Sequence, residues 1–153
     1  SGADATEALS LARLLGGLSG GGAELVGEAL QLRDDGRAGE AVVLIVGRSA
    51  RLPGEERAAL LAFAADLADE AALDAEAEQI RRTLIAEHPG STETPGAMLA
   101  LARALAARPE AAAEARDLLE RLVLEYPDSA LVPQARRELE RLSARVPSAE
   151  GSY

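Results

Sequence analysis

Three stretches of this 153-residue chain hold side chains that could do chemistry. The first is His88, the one histidine. As a general base it needs a nucleophile and an orienting carboxylate within hydrogen-bond reach. Its place points elsewhere: it stands where Tyr126 stands 38 residues later, at the end of a helical pattern, which reads as a packing position. The second is the acidic set Asp66, Asp69, Glu70, Asp74, Glu76 and Glu78 around one inter-helix turn. It lacks the alternation and central glycine of an EF-hand loop. Without cysteine or a second histidine, the chain also has no zinc ligand set. A solvated acidic turn, available to an arginine-rich partner, is the better reading. The third is "GGLSGGG", residues 16–22, ahead of a helical pattern. A phosphate-binding P-loop needs a lysine and a preceding buried strand, and there is no lysine at all. It reads as a flexible linker. No pair of carboxylates stands isolated in an apolar setting, and there is no nucleophile elbow. A non-catalytic protein without cofactor or metal is expected.

The elements that position these residues are helices. Alanine, leucine, arginine and glutamate dominate, and the aromatic residues are Phe63, Tyr126 and Tyr153. Such a vocabulary suits closely packed helices better than strands rich in aromatic and β-branched residues. The formal charge is −10, with all the basic residues arginine. That argues against a general nucleic-acid or anionic-membrane binder, both of which need a cationic face. The acidity is concentrated in residues 54–91, where nine acids face three arginines. No apolar run approaches the roughly 20 residues of a membrane span. The start, "SGADATEALS", has no basic or apolar signal region, so the chain reads as a mature or trimmed form.

A repeat organises the rest. "LIAEHPGSTETPGA", residues 84–97, is matched by "LVLEYPDSALVPQA", residues 122–135. Each is an amphipathic helix end, a proline that cannot continue it, and a second proline inside the next first turn. Ser91 or Thr94, and Ser129, are candidate caps for those following helices. Ala41, Ala77 and Ala115 each fall 12 residues before Pro53, Pro89 and Pro127, which gives a third copy. Small residues at a helix crossing let two antiparallel helices approach closely. Helices are expected near 5–16, 23–35, 38–52, 55–70, 73–88, 95–107, 110–126 and 130–145. The last carries Leu131, Ala135, Leu139, Leu142 and Val146 on one stripe.

This pattern resembles the tetratricopeptide repeat. The copies read Leu25, Ala29, Leu32, Gly36, Ala41, Ile45, Pro53; then Leu61, Ala65, Ala68, Ala77, Leu84, Pro89; then Met98, Ala102, Leu105, Ala115, Leu122, Pro127. The third copy has one extra residue in its turn at Arg108–Ala111. The 38-residue step and the "YPDS" junction are similar to the variant repeats of periplasmic outer-membrane-assembly lipoproteins and of Tol–Pal coordinator proteins. The resemblance implies an all-α fold, a right-handed α-solenoid of antiparallel helix pairs with about three repeats plus terminal helices. The domain would cover 23–146, preceded by an N-terminal helix and glycine-rich joint at 1–22 and followed by a tail at 147–153. His88 and Tyr126 then become matched packing residues at repeat seams.

The resemblance further implies a scaffold that binds protein through the concave face of its first-in-pair helices, in a periplasmic or extracellular setting. Glu24, Gly27, Glu28, Gln31, Arg57, Asp66, Met98 and Arg103 are the expected face. Its mixed, acidic character suits a basic or amphipathic peptide. The alternative is a structural subunit that self-associates head-to-tail, through an N-terminal helix that docks on a neighbouring copy.

Overall fold

The computed structural model describes residues 2–145, with side chains from Asp4 onward. The C-terminal tail and Val146, Tyr153 among its residues, lie outside the described residues. Eight α-helices follow one another: α1 Gly2–Gly16, α2 Gly20–Asp34, α3 Ala38–Ser49, α4 Gly54–Glu70, α5 Asp74–Glu87, α6 Thr94–Ala106, α7 Ala112–Glu125 and α8 Val132–Arg145. A 3₁₀ turn, Pro109–Ala111, precedes α7, and there is no strand among the described residues. The chain is all-α.

It forms two compact units, residues 1–91 and 92–153. In the first, α2 packs on α3, α3 on α4 and α4 on α5, and α2 also touches α4. Connections of three or four residues join α2 to α5 in succession, so neighbouring helices run antiparallel. In the second, α6 packs on α7 and α7 on α8, with α6 also touching α8. Each unit is thus a run of antiparallel helices stacked in chain order, the local arrangement of an α-solenoid.

Alanines stand at the crossings. Ala29, Ala41, Ala65, Ala77, Ala102 and Ala115 are all at most 2% exposed. Leu25, Ile45, Leu61, Leu84, Met98, Leu105 and Leu122 fill the grooves beside them, each at most 3% exposed. Pro53, Pro89 and Pro127 are exposed at the helix ends they terminate. In α8, Ala135 and Leu142 are buried while Leu131 and Leu139 are half-buried.

The repeat is visible in the backbone. His88 and Tyr126 end α5 and α7 at φ −129°, ψ 53° and φ −127°, ψ 54°. Their N–H groups donate to Leu84 and Leu122 carbonyls at 2.9 and 3.0 Å. Both are half-buried.

Several boundaries differ from the expectation for identifiable reasons. The helix of the first repeat stops at Ser49, not 52: Leu52, next to Pro53, is steered away from α geometry, and the chain closes with turns from Arg51 to Arg48 and Leu52 to Ser49. The helix expected from residue 110 begins at Ala112, after the 3₁₀ turn that Pro109 opens. The glycine joint shrinks to Gly17–Ser19, since Gly20, Gly21 and Gly22 form the first turn of α2. Ser19 caps that helix, its Oγ accepting from Gly22 N at 3.4 Å. Ser19 N and Oγ both donate to Glu56 of α4, at 2.7 and 2.6 Å. A Cβ at position 22 would stand 2.3 Å from that carboxylate, so the glycine leaves room for it. At α6 the capping position is Glu93, whose side chain makes no cap bond, and the Ser91 hydroxyl donates to Glu55 at 3.0 Å.

Two equivalent turns test the repeat directly. After α2, Gly36 takes φ +77° and Arg37 N donates to Leu32 O at 2.8 Å. After α4, Ala72 takes φ 58° and Leu73 N donates to Ala68 O at 2.8 Å. Both are left-handed helix ends, where a side chain is strained and glycine is not. Ala72→Gly is expected to raise the unfolding free energy by about 1 kcal/mol in urea denaturation, and Gly36→Ala to lower it by about the same.

Candidate protein-binding face

α2 carries Glu24, Gly27, Glu28 and Gln31 at i, i+3, i+4 and i+7, so they form one stripe. All four are exposed. Glu24 borders an open groove of 470 Å³ shared with Gly21, Leu25, Gly47, Arg48, Arg51 and Leu52. Glu28 is ion-paired to Arg48 of α3 at 2.9 Å, and Gln31 donates to Asp35 at 3.3 Å.

The other expected members divide. Met98 is fully buried and belongs to the core of its unit, in which α6 packs on α7 and touches α8. Arg57 is only partly exposed: Nη1 donates to Glu87 at 2.9 Å and lies 3.3 Å from His88 Nε2. It ties α4 to the end of α5. Arg57 Nε is buried without a hydrogen-bond partner. Arg103 is exposed and bound to α8, donating to Glu138 at 3.2 Å and to Gln134 at 3.1 Å. Asp66 remains accessible.

The acidic turn expected from the sequence is held by two arginines that the sequence reading did not connect to it. Arg33 of α2 pairs with Glu7 of α1 at 2.9 Å and approaches Glu70 of α4 at 4.0 Å, so one guanidinium spans three helices. Beside it, the buried Arg81 of α5 bridges Asp66 and Asp69 at 3.2 and 2.6 Å. Asp66, Asp69 and Glu70 occupy the final turns of α4, which has no basic residue in its last turn. Acids there oppose the helix dipole. Successive first-in-pair helices end with acids, in "LRDDG" and "LADEA".

Asp66 bears the consequence. Its carboxyl is raised above the ordinary aspartate value by desolvation first, with Asp69 and Glu70 adding to the rise and Arg81 working against it. The side chain keeps 73% of its exposure, so solvent screening limits the size of the effect. Among the described residues no group of three or more His, Asp or Glu could hold a metal, and no helix is long and apolar enough to cross a membrane.

Comparison with known proteins found no matching family model and no matching curated protein.

The raised carboxyl sets a pH dependence. Asp66 is protonated in folded and unfolded chains alike below about pH 4, and its ionisation penalises the folded state only as pH rises past that point. Asp66→Asn should therefore raise Tm at pH 7, with Arg81 retained by Asp69, and the gain should vanish near pH 3. Thermal melts across that range check it; a lower Tm than wild type at pH 7 would mean the Arg81 attraction outweighs desolvation.

Proposed function

We propose that the chain is a non-catalytic scaffold that binds a protein segment across the exposed faces of its first-in-pair helices. The observation that supports this reading is the contact of α2 with α4 within one unit, which sets two first-in-pair helices side by side. Stacked helix pairs build extended binding surfaces in this way. Glu24, Glu28 and Gln31 on α2 and Asp66 on α4 offer hydrogen bonds and negative charge there. The unit that carries them has 16 acids against eight arginines. A basic, amphipathic segment matches that surface in sign, and electrostatic complementarity would govern its association rate more than its final affinity. The likeness to tetratricopeptide repeats in the alanine and proline spacing supports the same reading.

Amide chemical-shift titration tests it. A synthetic arginine-rich amphipathic peptide should shift α2 and α4 resonances selectively, with an acidic peptide of equal length inert. Replacing Asp66 and Glu70 by lysine should weaken binding about tenfold, more than lysines at Asp74 and Glu76. Shifts confined to α3 and α5, or equal effects of both double variants, would sink the assignment.

A further inference from the structure

In the first unit, α1 is the helix that buries none of its described side chains. Leu11 and Leu14 are half-covered, on the same side as Glu7, which pairs with Arg33 of α2. The opposite arc carries Ala5, Ala8, Leu9, Ala12 and Leu15, at i, i+3, i+4, i+7 and i+10, and every one is exposed. Leu9 keeps 73% of its surface and Leu15 41%. A helix of 15 residues is marginal by itself in water, so α1 owes much of its order to whatever covers it.

The connection behind it is built to release. Gly17–Leu18–Ser19 is held to α1 by turns from Gly17 N to Leu14 O at 3.1 Å and from Leu18 N to Leu15 O at 3.3 Å. The start of α2 is secured separately, through the two Ser19 bonds to Glu56 of α4. Detaching α1 therefore leaves the rest of its unit intact, with the pivot at Gly16–Gly17.

We infer that α1 exchanges between two copies of this chain, docking on the second copy's α2 by the contacts it makes on its own. The occupant follows from continuity with the contact already formed. The face of α2 around Arg33 accepts an α1, and Glu7, Leu11 and Leu14 form the same interactions across chains as within one. Because each α1 makes the same contacts in either form, mass action at high protein concentration favours the exchanged dimer over the closed monomer. Swapping an identical element is a low-cost route to a dimer because almost no new surface has to be shaped.

The absence of cysteine makes the test clean. Glu7→Cys and Arg33→Cys chains are mixed at high concentration, warmed, cooled and treated with a short bismaleimide. Glu28→Cys mixed with Arg48→Cys is the control, since that 2.9 Å pair joins α2 to α3 and stays within one chain on exchange. The mixed Glu7/Arg33 pair should give cross-linked heterodimer several-fold above the control. A yield no higher than the control overturns the inference. Sedimentation of the unsubstituted chain gives an independent answer: a dimer fraction rising with concentration is expected, and a monomer mass at every concentration overturns it.

Discussion

The fold depends on how closely successive helices can approach, and buried alanines set that distance. Six of them, from Ala29 to Ala115, stand at most 2% exposed where antiparallel helices cross. A methyl group is the largest side chain that leaves two backbones near contact, and the leucines and isoleucines on either side then interlock. Everything else follows the spacing. α4 shows it most fully, burying Ala58, Leu60, Leu61, Ala64, Ala65, Leu67 and Ala68 on a broad arc that faces α3, α5 and α2. With so few aromatic residues, the core has no large ring to absorb a misfit, so packing must be regular.

Polar groups register the helices that alanine brings together. Ser19 at the start of α2 donates to Glu56 of α4, and Ser91, beyond the end of α5, donates to Glu55 of the same helix. Arg81 is the most committed of these groups, a buried cation held by two carboxylates. Such a pair does little for net stability but is costly to break from one side. The same geometry leaves acids at the end of α4 that the dipole and each other disfavour, and Asp66 carries that tension in its raised carboxyl.

Much of this was legible in the residues. The 12-residue interval from alanine to proline located the second-in-pair helices, and it works because both residues have one physical role. His88 and Tyr126 were paired by alignment, and their backbone angles agree within two degrees. What the pattern could not convey were interactions set by side-chain reach across helices. Arg57 and Arg103 looked like free surface charges, whereas each spends its guanidinium on a neighbouring helix. Met98 served both as a repeat-core residue and as a face residue in the sequence reading, and burial decides for the core. "GGLSGGG" misled because glycine predicts freedom, while here Ser19 and Glu56 turn three glycines into a capped helical turn.

The claim that alanine sets the helix spacing is tested most directly by enlarging one of them. Ala41 is fully buried, and leucine there is close to alanine in helix propensity and more hydrophobic. The unfolding free energy of Ala41→Leu, measured in urea against the unsubstituted chain, should fall by about 2 kcal/mol through overpacking. An unchanged or higher value would show that the crossing has room to spare, and that close approach at alanine is not what holds these helices in place.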